Sequence, residues 1–197
     1  MSHYFSSDEP AISSPQSYNY AFGDNIYHFT TDAGVFSVGK MDSGTDALLR
    51  NIPPLQGSLL DMGCGYGCLG IVLAKEYGLS LTQADINPRA LRLCAKNAAK
   101  NGIQSKIIQS DKFDQISELF DTIAINPPIH AGKQIIFDMY EGARQHLKPS
   151  GSLYIVIQKK HGAESSLKRL SQIFGNYTIL SKKKGRYIIK SSQSAIL

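Results

Sequence analysis

Apolar positions recur with two different periods along this chain, and the change of period divides it. Tyr18, Tyr20 and Phe22 alternate with polar or small residues, Gly23, Asp24 and Asn25 supply turn chemistry, and Ile26 to Thr30 is a second β-rich run. That pattern predicts a β-hairpin, extended by a third short strand at Val35 to Ser37. Residues 1–16 are rich in Ser and Pro without periodicity and are expected to form a flexible tail. Residues 17–40 then form a β extension packed on a main domain at 41–197. Asp42 or Ser43 can cap a short helix from Thr45 to Arg50, which Pro53 and Pro54 end.

From Ser58 onward short apolar runs alternate with stretches of helical period, as expected of βαβ units around a parallel sheet. The pattern predicts strands at 58–62, 79–85, 106–109, 120–126 and 151–158, with helices at 68–77, 88–101 and 134–147. Asn87 before Pro88 reads as an N-cap with proline in the first turn, and Gly102 as the residue that stops the same helix. A helix from Ala163 to Phe174 and strands at 177–181 and 186–190, joined by a tight Lys184-Gly185 turn, complete the chain. The fold class is α/β: a doubly wound, mostly parallel seven-stranded sheet with an antiparallel last strand.

Composition narrows the setting. The 197 residues suit one globular unit with a real core, and no apolar run approaches the roughly 18 residues of a membrane span. The first residues lack the basic-then-apolar pattern of a secretory signal, so a soluble cytoplasmic protein is expected, with no membrane partner. Cys64, Cys68 and Cys94 form no Cys-x-x-Cys pair and the five histidines fall in no ligand spacing, which argues against disulfides and against a metal. A net charge of +5 and a pI near 9.0 favour a polyanionic partner, though many basic proteins bind no nucleic acid.

The first candidate chemistry lies at Asp61-x-Gly63-x-Gly65-x-Gly67, where the first core strand hands over to the first core helix. Glycines there allow a tight turn and a close approach of backbone to ligand, beside helix N–H groups that attract negative charge. Cys68 stands where the dinucleotide fingerprint has its third glycine, which disfavours a dehydrogenase. Asp85 ends the next strand at the spacing of a ribose-binding carboxylate, and Ser110-Asp111 after the following strand is placed to meet an adenine edge. Singly, each acid could be a cap or turn residue; together they favour a nucleoside-bearing cofactor. Asp61 suits a ligand carrying an amino group, as S-adenosylmethionine does.

The most specific signal is Asn126-Pro127-Pro128-Ile129, at the end of the apolar strand beside that loop. Prolines fix the carbonyl directions of the turn. An exocyclic base amine is a poor nucleophile because its lone pair is delocalised into the ring. The Asn126 side-chain oxygen and the Pro127 carbonyl can accept its protons and so aim the lone pair at a methyl group. Orientation can supply about 7 to 11 kcal/mol, whereas a general base gives about 10²- to 10⁴-fold, so His130 need not be a base.

These motifs, with His130, Gly132 and Lys133 after the turn and Phe36, Lys40, Asp42 and Gly44 upstream, resemble the methyltransferase small domain of ribosomal RNA small-subunit guanine-N2 methyltransferases, from about Tyr18 to the end. The resemblance implies a class I methyltransferase fold, S-adenosylmethionine as cofactor, and guanine N2 of 16S ribosomal RNA, free or in the small ribosomal subunit, as target. It places Asp61, Gly63, Gly65, Asp85 and Asp111 at the cofactor, with Cys64, Ile86 and Asn126 in the same site. Asn126, Pro127, Pro128 and Ile129 form the catalytic turn, and Phe36, Lys40, His130 and Lys133 face the RNA. Many Asn-Pro-Pro enzymes stack an aromatic ring on the base from the fourth position. Here that position is Ile129, so stacking worth about 1 to 3 kcal/mol must come from elsewhere, Phe36 being one candidate. The best-known members duplicate the module, and for a single copy a homodimer is one way to replace the second half.

Ligands in such sheets lie beyond the carboxyl ends of the strands. Strand 151–158 runs into Lys159 and Lys160, and strand 177–181, running the same way, into Lys182, Lys183 and Lys184 ahead of Arg186. Two basic runs at one edge suit a phosphate backbone, although an ordinary solvated cluster would look the same. Two other readings stand beside the first: methylation of a protein glutamine amide, usually with Tyr at the fourth position, and a module that binds S-adenosylmethionine without turnover.

Overall fold

The computed structural model describes residues 12–194. The first two strands, β1 (Gln16–Phe22) and β2 (Asn25–Thr31), pair antiparallel around the expected turn, Phe22 facing Asn25. The chain then passes through α1 (Ser43–Leu49), β3 (Ser58–Met62), α2 (Cys68–Tyr77), β4 (Ser80–Asp85), α3 (Pro88–Lys100), β5 (Ser105–Gln109) and β6 (Phe120–Ile125). It ends with α4 (Lys133–Gln145), β7 (Leu147–Gln158), α5 (Ala163–Phe174), β8 (Thr178–Lys183) and β9 (Arg186–Ser192). The main sheet has the order β5-β4-β3-β6-β7-β9-β8, parallel except for β9, which pairs antiparallel with both neighbours.

Both faces of this sheet are covered, which is why its central strands read as nearly continuous apolar runs. Successive side chains alternate between two cores. Leu59, Ala124, Tyr154 and Val156 pack with α1, α2, α3 and the hairpin, while Leu60, Ile123, Leu153, Ile155 and Ile157 pack with α4 and α5. The Asn87 side chain accepts from Arg89 N–H and Ala90 N–H ahead of Pro88, and Gly102 takes the left-handed φ of +71° just past the end of α3.

Four expectations need correction. Val35 to Ser37 is not a strand: Val35 N–H turns back to the Asp32 carbonyl at 3.3 Å, and Ser37 has φ +58° between Gly34 and Gly39, also left-handed. Gln16, assigned to the tail, opens β1, and Ser13 and Ser14 are tied to the Asp32 carboxylate at 2.8 and 2.6 Å; residues 1–11 of that tail lie outside the described ones. The fifth core strand begins at Leu147, inside the expected helix 134–147. Leu147 already pairs with Phe120, and Pro149, Ser150 and Gly151, whose composition suggests a turn, form a register-shifting irregularity within β7. The first helix also starts earlier than expected, at Ser43 directly after its cap Asp42.

Candidate functional site

A cavity of about 410 Å³ opens where β3, β4 and β6 end, within the range of small-molecule sites. One side is built from backbone. Gly63, Gly65 and Gly67 adopt φ of +73°, +56° and +93°, a region that strains other residues. A Cβ on Gly65 would meet nothing within 4 Å, so the peptide is open to a ligand there, whereas one on Gly67 would lie 2.7 Å from Cys94 Sγ. The glycines thus serve two purposes, close approach at Gly65 and close packing at Gly67.

Two buried carboxylates hold this loop. Asp85 accepts from Gly65 N–H at 2.8 Å through Oδ2 and from Asn87 N–H at 2.9 Å through Oδ1, and burial pushes its carboxyl above the usual range. Asp61 Oδ2 accepts from Gly70 N–H at 2.8 Å and Gln83 Nε2 at 3.2 Å, leaving Oδ1 without a donor among the described residues. Burial raises the Asp61 carboxyl to about 6. A buried carboxylate with a free oxygen suits a cationic group, and the amino group of S-adenosylmethionine fits that need. Cys64, Ile86, Ser110 and Asp111 line the same side, Ile86 with its side chain substantially exposed.

The opposite side is built from side chains. Asn126 leaves β6 at the cavity wall, followed by Pro127, Pro128, Ile129 and His130. The Pro128 carbonyl is taken by Ala131 N–H at 3.0 Å, while Pro127 lines the cavity. Asn126 Nδ2 donates at 2.9 Å to both Asp42 Oδ2 and Thr45 Oγ1, so both of its protons are engaged and Oδ1 is left as the free acceptor. Val156, Ile157, Gln158, His161 and Arg186 complete this side. Arg186 Nη2 donates to Ser43 Oγ at 2.5 Å, but Arg186 Nε and His161 Nδ1 are buried without a hydrogen-bond partner. Burial, with Lys160 and His130 nearby, lowers the His161 pKa.

The structure therefore brings the glycine loop, Asp61, Asp85, Ile86, Asp111, the Asn126 turn, His130, Arg186 and the half-exposed Phe36 to one cavity. Lys40, Lys133, Lys159, Lys160 and Lys183 do not line it. Lys40 offers only its carbonyl, to Tyr66 and Ser37, and the Lys133 ammonium sits over the Phe137 ring. The two basic runs do meet, because Lys159 N–H donates to the Gly185 carbonyl at 2.8 Å.

Four supporting residues escaped the sequence reading. Asp42 is legible as a cap and Thr45 as the start of a helix, but neither as a partner of Asn126. Gln83 Nε2 bridges Asp61 to the Gly67 carbonyl, and Asn97 Nδ2 clamps the Tyr66 carbonyl to that of Thr30 on the hairpin. A polar Gln83 within an otherwise buried strand, and Asn97 on the buried face of α3, were the signals available, since buried amides must be bonded.

A doubly wound sheet with this strand order, a glycine loop closed by Asp85 and an Asn-Pro-Pro turn across the cavity define a class I methyltransferase whose cofactor is S-adenosylmethionine. The sequence profile of the methyltransferase small domain matches residues 26–190, and the chain belongs to that family. It is 40% identical over 200 residues to the uncharacterized protein YbxB of Bacillus subtilis, covering 98% of this chain and all of that one. It is 44% identical over 128 residues to ribosomal RNA small subunit methyltransferase C of Aeromonas hydrophila, covering 62% of this chain but 37% of that one. The chain thus spans well under half of that relative. Among solved structures, a T. thermophilus 16S rRNA N2 methyltransferase in complex with AdoMet and guanosine superposes with a TM-score of 0.81 at 22% identity, over 94% of this chain and 52% of that one. Among the described residues no helix is long and apolar enough to cross a membrane, and no three His, Cys, Asp or Glu side chains cluster as metal ligands.

Proposed function

We propose that the chain methylates an exocyclic base amine of RNA, guanine N2 of 16S ribosomal RNA being the reading supported best. The carrying observation is the Asn126 amide, whose two protons are consumed by Asp42 and Thr45 so that only its oxygen can face a substrate. An amine inserted there donates one proton to Asn126 Oδ1 and the other to the Pro127 carbonyl, which turns its lone pair out of conjugation. S-adenosylmethionine supplies, when bound, a methyl group already activated by its sulfonium. The residues of the turn need only orient the amine, and after transfer the surplus proton leaves to water.

Guanine is favoured over other bases by the guanosine that the similarly folded T. thermophilus enzyme binds and by a polar atom on the same side of the cavity as the turn. Arg186 Nε–H is a buried donor in want of an acceptor, and guanine offers O6 and N7. Ile129 and Phe36 can cover the base faces. The joined basic runs at Lys159, Lys160, Lys182 and Lys183 favour RNA over a protein glutamine as substrate. Transfer of tritiated methyl from S-adenosylmethionine to ribosomal RNA, followed by nucleoside analysis, is expected to give N2-methylguanosine. Label in protein glutamine, or in another nucleoside, overturns the guanine-N2 reading.

A further inference from the structure

We propose that Asp42 and Thr45 are positioning residues that lock and polarise the Asn126 amide. The inference rests on the amine-methylation reading above. Four bonds converge on Asp42 Oδ2: Gly44 N–H at 2.8 Å, Thr45 N–H at 2.9 Å, Asn126 Nδ2 at 2.9 Å and, more loosely, the Thr45 hydroxyl at 3.4 Å. The residue that caps α1 is therefore the residue that orients the turn at the end of β6, 84 positions away. Thr45 Oγ1, on a side chain that is 4% exposed, accepts the second Nδ2 proton. With either acceptor gone, the amide loses one reason to prefer this face, and a 180° flip would present N–H groups to an amine that has only protons to offer.

Gly44 makes the approach feasible. A Cβ there would lie 2.9 Å from Asp42 Oδ2 and 3.4 Å from Asn126 Oδ1, crowding the bond that fixes the amide. Arg186 Nη2 on Ser43 Oγ pins the same helix start to β9, so the lock is anchored from a third element.

The Asp42 carboxylate does more than orient. A negative charge behind Nδ2 pushes electron density toward the amide oxygen, since charge-assisted bonds in a low-dielectric site polarise their neighbours. During transfer the S–C bond breaks with its electron pair staying on sulfur, the N–C bond forms, and positive charge grows on the amine. Its N–H bond to Asn126 Oδ1 strengthens at that moment, and the chain amine, Asn126, Asp42 spreads the charge to a carboxylate. Such help appears in the transition state and not in substrate binding.

The test uses the full chain. Thr45→Val keeps the shape of the side chain and removes the acceptor, Thr45→Ser restores it, and Asp42→Ser retains a helix cap while being too short to reach Asn126. Thr45→Val is expected to lower kcat about tenfold and Asp42→Ser more, each with KM for RNA and Kd for S-adenosylmethionine within about twofold and with Thr45→Ser close to wild type. In NMR of the protein without substrate, the Asn126 side-chain amide protons are expected to be protected from exchange, and released in both disruptive variants. Unchanged kcat in Thr45→Val and Asp42→Ser overturns the proposal, as does an Asn126 amide that exchanges like an exposed one in the wild type. If the amide is locked and released as described while no amine is methylated, the reading of the activity fails and the positioning by Asp42 and Thr45 stands.

Discussion

The two sides of the cavity solve recognition with different materials. The cofactor side is mostly backbone, drawn from β3, β4 and the loop between β3 and α2, and its acids hold the loop as much as they face a ligand: both oxygens of Asp85 and one of Asp61 are bonded to protein. The other side is mostly side chain, with the Pro127 carbonyl beside it, assembled from α1, the turn after β6, the end of β7 and the segment after it, and β9. Backbone recognition tolerates little change in the loop but much around it. Side-chain recognition depends on single atoms brought from distant parts of the chain, so one atom lost there costs chemistry while leaving the other side intact.

The largest separation of the two is expected from Asn126→Ala. Loss of the one oriented acceptor should cost about 10²- to 10³-fold in kcat, comparable to removing a preorganised hydrogen-bonding group from other active sites, with the Kd of S-adenosylmethionine within a few-fold by calorimetry. Near-normal turnover would remove the Asn126 turn from the chemistry. Asp85→Ala is the mirror experiment. It frees Gly65 N–H and removes a carboxylate from the cavity wall, so on the proposed assignment Kd should rise about 10- to 100-fold, with kcat at saturating cofactor changed far less. A matching fall in kcat would show that the two sides are coupled.

The cofactor side was the more legible from sequence, for a physical reason. Its parts lie within one βαβ unit, so Asp61, the glycines and Asp85 have fixed spacings that local geometry dictates. Asn126-Pro127-Pro128 was equally plain, because prolines restrict backbone locally. What could not be read was how the Asn126 amide is held, since Asp42 and Thr45 reach it only through tertiary folding. The fold was legible for the same local reasons, from period and caps. It failed at Val35 to Ser37, where a local turn and a left-handed Ser37 replace the strand, and at Pro149 to Gly151, where composition says turn but pairing with β6 carries the strand through.

A smaller effect separates the sides by pH. The folded pKa of Asp61, about 6, lies above its ordinary 3.8, so its contribution to stability is full below 3.8 and is lost as pH rises through 6. A bound ammonium favours the carboxylate instead and holds its pKa down. Cofactor affinity is therefore expected to be flat above pH 6 and to fall by up to about tenfold per pH unit below it. Asp61→Asn should flatten that profile; a profile that keeps its bend assigns the proton elsewhere.

The smallest effect concerns the basic edge beside the amine side. Lys159, Lys160 and Lys183 do not line the cavity, so none should alter kcat at saturating RNA. Each contact to a phosphate contributes about 0.7 to 0.9 to the slope of log affinity against log salt. Lys160→Ala and Lys183→Ala are each expected to weaken RNA binding a few-fold at low salt and to reduce that slope by about this amount. Where the two side chains contact separate phosphates, the double variant should add. A wild-type affinity that ignores salt would detach the amine side from nucleic acid. A protein amide, which poses the same problem to Asn126 without a phosphate backbone, would then become the better substrate.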